Sequence, residues 1–319
     1  MKPNKPDAEH IQTRFRQALE SFVAKLQRDD QVIAAILMGS LSYDQVWEKS
    51  DIDLKLVVQD QKLTRHGMSF IENDVPINAS ITTRNEFKRW MEGAVQGSFN
   101  HSILVRSKLL FAKDATIGHY YGDIRRVGDR DRQLMLLQEG CHTLAMLAKA
   151  EKWLYVKKDP VYSAFWLLKT VDLLARTEVT LHGEVPMREA VQQAIGYNPA
   201  FFQAVYTDMI VGEVDEAKAR GALERVVEYV DGHAETSFRP VLDYLRQERD
   251  IRTMTDIQER FGKLADVDAG LLAYACDWLA EHGHLVKVSA ETTATPKSRV
   301  RLEEPAFLCE MSGDQPFGG

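Results

Sequence analysis

The chain has 319 residues, is 45% hydrophobic and 27% charged, and carries a formal net charge of -7. That is the composition of a soluble globular protein of two or three domains, and it excludes a surface that binds polyanions everywhere, although a local basic patch can still do so. Cys141, Cys276 and Cys309 are far apart and odd in number, so neither a disulfide framework nor a zinc motif is written here. No apolar run approaches the ~20 residues that span a bilayer, and the start, Met1 to Pro6, is not followed by the apolar run of a signal peptide. The expectation is a cytoplasmic protein with no membrane partner.

Ile11, Phe15, Ala18, Phe22 and Leu26 recur at helical spacing, which predicts a helix from about Ala8 to Arg28 lying on a sheet. Ile33 to Met38 reads as a buried strand that runs into the turn Gly39-Ser40. After a polar loop, Leu41 to Ser50, a second apolar strand opens with Asp51-Ile52-Asp53 and runs to Val58. Side chains alternate along a strand, so Asp51 and Asp53 share a face. Two carboxylates on one face suit a hard cation such as magnesium. Gly39 permits close backbone approach, and Ser40 with the N–H groups after it can bond phosphate oxygens. Together these parts suit a magnesium–nucleoside triphosphate.

Lys62 to Ile71 reads as another strand, which hands over across Glu72-Asn73-Asp74 to a strand from Val75 to Thr82. A helix from about Arg84 to Glu92 follows, then a strand over Ser102 to Phe111. A small mixed sheet with helices on one side accounts for the chain to about residue 115.

From Tyr120 to about Leu245 the periodicity is helical. Helices are predicted from Arg130 to Tyr155, Val161 to Glu178 behind Pro160, Glu189 to Gly196, Pro199 to Val211, and Asp215 to Phe238, the last ended near Arg239-Pro240. Four or five such helices fit a bundle. The last part changes character. A short Thr-capped helix, Thr255 to Phe261, precedes a longer one from Asp268 to His282. A hairpin follows from Leu285–Ser289 and Arg299–Leu302, in the order of a winged helix, and the tail after Pro305 reads as mobile.

Gly-Ser, a spacer of about ten residues, then Asp-x-Asp at the head of an apolar strand resembles the nucleotidyltransferase superfamily that includes DNA polymerase beta. The closer likeness is to small bacterial members, such as the kanamycin and streptomycin nucleotidyltransferases and the minimal nucleotidyltransferases. It covers roughly Phe15 to Asp114. The resemblance implies that Asp51 and Asp53 hold Mg2+, that Gly39 and Ser40 grip the triphosphate, ATP being the first expectation, and that a nucleoside monophosphate passes to a hydroxyl acceptor. It also implies a helical bundle that helps form the acceptor pocket. The family usually has a third carboxylate on a later strand, where it binds the metal and can take the acceptor's proton. That slot holds Asn78, which can coordinate through its amide oxygen but cannot act as a base. Asp74 has the same parity, but four residues at ~3.3 Å each place it ~13 Å away. Either another acid, such as Glu139, supplies the function, or the chain binds nucleotide without efficient transfer.

Three other groups carry chemistry. Arg176 and His182 have the Arg-x(4–6)-His spacing of the ribonuclease subset of HEPN bundles, although a surface Arg and a loop His explain them as well. Tyr162, Trp166, Lys169 and Asp172 share one helix face; the rings read first as core, while Lys169 could meet a phosphate. Lys287, Lys297, Arg299 and Arg301 lie on the expected wing, but the helix from Asp268 to His282 has no Lys or Arg. That speaks against sequence-specific DNA recognition and favours a packing or homodimerisation module.

The sequence therefore reads as an α+β protein. A nucleotidyltransferase-like mixed sheet with helices spans 1–117, a helical bundle 118–247, a winged-helix-like module 248–308 and a flexible tail 309–319. The alternatives are a catalytically weak or inactive nucleotide-binding regulator, because of Asn78, and an HEPN-type ribonuclease.

Overall fold

Strand β1 (Val32–Met38) is buried along almost its whole length, and a five-stranded sheet is built around it. A computed structural model describes residues 8–94, 104–123 and 128–309, and the chain divides into two units, 1–127 and 128–319. The first unit runs α1 (Ala8–Leu26), β1, β2 (Ile52–Val58), β3 (Gly67–Glu72), β4 (Val75–Thr83), α2 (Arg84–Ala94), β5 (Lys108–Ala112) and α3 (Ala115–Asp123). The sheet order is β3-β4-β2-β1-β5, with β2 and β4 parallel and the other neighbours antiparallel.

Alternation along β2 sends Ile52, Leu54 and Leu56 to one face, where they pack with Phe15, Ala18 and Phe22 of α1. Val57 faces the other way and packs with Phe87 and Met91 of α2 and Ile117 of α3. Helices therefore cover both faces, not one. The cause is β1, whose Ala34 and Ile36 are as buried as Ala35 and Leu37, so each face needs a cover. Of the strand expected over Ser102 to Phe111, the first two residues lie outside the described ones, and the rest forms a shorter strand. Residues 104–106 make a helical turn that buries Leu104, and β5 starts only at Lys108. Asn73 and Asp74 both have positive φ, 49° and 59°, and form the two-residue turn that sets the register of β3 on β4.

The second unit is mostly helical: α4 (Asp129–Glu151), α5 (Pro160–Leu181), α6 (Ala190–Tyr197), α7 (Pro199–Phe202), α8 (Asp208–Ile210), α9 (Glu216–Gly232), α10 (Ala234–Ser237) and α11 (Arg239–Glu248). A π-helical turn, Lys152–Val156, follows α4, and another, Gln203–Thr207, joins α7 to α8. Asp159 caps α5 by accepting from the Tyr162 N–H at 2.9 Å, with Pro160 in the first turn. The single helix expected from Asp215 to Phe238 is broken at His233. Pro240 does not end it but opens α11, where its missing N–H costs nothing. Gly140 lies mid-helix because a Cβ there would meet Phe238 Cζ at 2.9 Å.

The remaining elements are β6 (Arg252–Thr253), α12 (Met254–Phe261), α13 (Ala269–Glu281), β7 (Val286–Thr292) and β8 (Leu302–Leu308), with sheet order β6-β8-β7. Thr253, not Thr255, caps α12, in a reciprocal box with Asp256. The second hairpin strand lies over Leu302–Leu308, beyond the expected Arg299–Leu302, and the segment just after Pro305 is not a tail. Ala306 and Phe307 pair with β6 and β7 and are buried, while β6 stops short of Pro305, so the missing N–H of proline breaks no ladder on that side. Residues 310–319 of the expected tail and the first seven residues lie outside the described ones. One apolar core runs from Leu137 and Leu144 of α4 through Phe238 to Ile257, Leu272 and Phe307.

Candidate active site

The register of four strands puts one row of side chains across the first sheet. Met38 on β1 pairs with Asp53 on β2, Asp53 with Asn78 on β4, and Asn78 with Ser69 on β3. Cross-strand partners share a face, so these four groups stand side by side. Asp51, just before β2, reaches the same row, and Asn78 Nδ2 donates to Asp51 Oδ2 at 2.6 Å. Ser69 Oγ donates to Asn78 Oδ1 at 2.8 Å, so both ends of the amide are held. A cleft of about 390 Å³ opens on the row, between Met38 and Asp53 on one side and Met68 and Ser80 on the other.

Gly39 closes the row from above. Its φ is +68°, a conformation that residues with a Cβ rarely adopt, and a Cβ there would lie 2.4 Å from Asp53 Oδ2. The glycine is needed twice, for the turn and for the approach to the carboxylate. After it, Ser40–Tyr43 make one tight 3₁₀ turn, in which Ser42 donates both N–H and hydroxyl to the Gly39 carbonyl. Leu41 and Val46 anchor the loop in the core, and Asp44 ties it to Arg16 of α1 at 2.8 Å and to Lys108 of β5 at 3.9 Å. Arg16 holds the Asp44 carboxyl below its ordinary range. The loop between Gly39 and Asp51 is thus pinned to the helix on one face of the sheet and to the edge strand β5.

Burial raises the Asp53 carboxyl above its ordinary range, and the neighbouring Asp51 charge adds to the rise. A like-charged, partly desolvated pair of this kind gains from a bound cation. The row supplies two carboxylates, while Asn78 turns its N–H side to Asp51 and its oxygen to Ser69; among the described residues no group of three His, Cys, Asp or Glu is placed to hold a metal. That donor set fits Mg2+, which commonly uses one or two carboxylates and takes its other oxygens from water and substrate phosphates.

Two residues escape the motif reading. Lys55 follows Asp53 on the same strand face, pairs with Ile36 and Ser80 in the next row, and lies with Nζ 4.2 Å from the Trp90 ring centroid. Burial lowers its pKa. Strand parity alone points to it, since it is two residues from Asp53. Ser69 also escapes, because only the β3–β4 register brings it to Asn78.

The other candidates belong to the second unit. Lys169 Nζ lies 4.9 Å and 4.7 Å from the ring centroids of Phe165 and Trp166. Glu139 is buried and accepts from Arg176 Nε at 2.5 Å; burial raises its pKa although Arg176 opposes the rise. Its carboxylate is spent on that pair. His182 stacks on Tyr197 at 4.1 Å, with Nδ1 2.9 Å from the Glu178 carbonyl oxygen. Arg176 and His182 are each engaged inside the helical unit.

Comparison with known proteins bears on the sheet. The family model described as "Polymerase beta, Nucleotidyltransferase" matches residues 20–116. This segment is a domain of the nucleotidyltransferase superfamily. It holds the entire row and the Gly39-Ser40 turn. A crystal structure of a nucleotidyltransferase-like protein from Exiguobacterium sibiricum 255-15 aligns with a TM-score of 0.59 at 13% identity, over 92% of this chain and 99% of that one. At that identity the likeness shows the fold of the nucleotidyltransferase-like protein and nothing of its chemistry. No curated protein matches the chain.

Proposed function

We propose that the first unit binds a nucleoside triphosphate with Mg2+, and that the chain transfers its nucleoside monophosphate to a hydroxyl acceptor, releasing pyrophosphate. The carrying observation is the row itself, in which Asp51, Asp53 and Asn78 converge beneath the Gly39 turn. Domains of this superfamily generally use a nucleoside triphosphate and a divalent metal. Asp51 and Asp53 would hold the ion, which when bound neutralises charge on the transferring phosphoryl group. Gly39 and Ser40 offer backbone N–H groups and a hydroxyl to the outer phosphates, and the pinned loop keeps them aimed. The acceptor oxygen forms a bond to the α-phosphorus as the bond to pyrophosphate breaks, and the acceptor's proton passes to water. Asn78 cannot take it, and Glu139 is occupied by Arg176.

Asn78 favours a second reading: a nucleotide-binding regulator with little or no turnover. Pyrophosphate release separates the two. Parent protein is incubated with each nucleoside triphosphate, Mg2+ and a panel of hydroxyl acceptors. Release that needs the cation and disappears in Asp51→Asn supports transfer. Binding without release under every condition supports the regulator.

The C-terminal elements are proposed as a packing module that does not read DNA sequence. Helix α13 has no Lys or Arg, and two hairpin cations are neutralised, Lys287 by Asp277 at 2.7 Å and Arg301 by Glu291. A selection from random duplexes at physiological salt should return no motif.

A further inference from the structure

We infer that an exposed face of aromatic rings and lysines, at the junction of α4 and α5, binds single-stranded nucleic acid. Residues 149–169 hold five aromatic residues and five lysines against two acids, Glu151 and Asp159, in a chain whose net charge is -7. One of those acids, Asp159, is used as the helix cap.

Tyr162 reads as core in the sequence, yet it is 40% exposed, as is Tyr155, with Phe165 at 45% and the neighbouring Val156 at 71%. A soluble protein rarely leaves so many large apolar groups together in water without a use for them. The rings are contiguous. Trp153 and Tyr162 lie 4.2 Å apart between centroids, Tyr162 and Phe165 5.4 Å, and Phe165 and Trp166 5.9 Å. The π-helical turn Lys152–Val156 builds this face, because its wider winding delivers Tyr155 and Val156 to solvent beside the start of α5.

The charges sit among the rings. Lys149 and Lys169 approach the Trp166 ring to 4.5 Å and 4.7 Å, and Arg220 lies over Tyr155 at 5.2 Å. Lys152, Lys157 and Lys158 are exposed, and none of the five lysines makes an ion pair with a described residue. Rings interleaved with ammonium groups that no described carboxylate neutralises match a strand that offers bare base faces and phosphates. A duplex hides its base faces. A second copy fits worse, because a two-fold contact would set this lysine cluster against itself. The inference does not rest on the triphosphate site of the other unit.

The test is fluorescence anisotropy with a labelled short oligouridine at low salt, with the matching duplex as control. The parent should bind the single strand in preference to the duplex. Tyr162→Ala with Phe165→Ala should weaken binding roughly tenfold or more, since each lost stack carries a substantial share of the affinity. Lys157→Ala with Lys158→Ala should reduce the slope of log affinity against log salt by about 1.4. All four positions are exposed, and far-UV circular dichroism verifies that each variant keeps its helices. No binding by the parent, preference for duplex, or equal affinity in correctly folded variants would overturn the proposal. So would self-association of the parent that Tyr162→Ala with Phe165→Ala abolishes.

Discussion

Asn78 donates its side-chain amide to Asp51 at 2.6 Å, in the slot that the family resemblance assigns to a third carboxylate. The amide satisfies Asp51, because it offers a hydrogen where a carboxylate would offer a charge. Asn78→Asp should reverse this. Without metal the variant gains a like-charged contact and should melt earlier than the parent. With Mg2+ and a nonhydrolysable triphosphate it should gain more in thermal midpoint than the parent does. Equal shifts on adding Mg2+ would show that Asn78 does not stand at the metal.

Gly39→Ala tests the roof of the site. The change places a Cβ against Asp53 Oδ2 and forces a side chain into a backbone conformation with φ of +68°. Strain of this kind costs about 1–3 kcal/mol, which chemical denaturation resolves. Nucleotide binding should be lost as well, because the Asp53 carboxylate must move away. A variant with parental stability and binding would show that the turn has room to spare.

Much of this site is legible in the sequence, for identifiable reasons. Asp51 and Asp53 share a face by strand parity, and Gly39 follows an apolar run with no other role for a glycine. Asn78 is found by its place in an apolar strand. Ser69 is not, because its place depends on the two positive-φ residues Asn73 and Asp74, which fix how β3 returns along β4. Lys55 has the right parity, but its contact with the Trp90 ring is made only because a later helix crosses the sheet there. The helices of the second unit follow their periodicity until local winding changes. The π-helical turns after α4 and α7 and the break at His233 leave no period of their own, and Pro240 reads equally as a stop or as a first turn. The aromatic face is hidden for the same reason, since helical spacing alone assigns Tyr162 and Trp166 to a core.

Glu72 gives a pH test of the scaffold. Lys25 Nζ bonds it at 2.6 Å and Ser21 Oγ at 2.6 Å, joining α1 to the end of β3. Lys25 first, and then Ser21, hold its carboxyl below the ordinary value of 4.5. A depressed acid contributes stability that is fully present above the unfolded value and is lost as pH falls through the lower folded one. Glu72→Gln should therefore lower the thermal midpoint at neutral pH, and the gap to the parent should close as the solution is acidified below that range. A gap that stays constant into strong acid would mean that the ion pair contributes nothing and that the loss is one of packing.

The central claim is that Asp51 and Asp53 bind Mg2+ together with a nucleoside triphosphate. Isothermal titration calorimetry with a nonhydrolysable triphosphate, with and without Mg2+, tests it most directly. The parent should bind in the presence of the ion and at least roughly tenfold more weakly without it, a difference of about 1.4 kcal/mol. The double variant Asp51→Asn, Asp53→Asn should show no response to Mg2+ while remaining folded. Cation-dependent binding as tight in the double variant as in the parent would contradict the assignment.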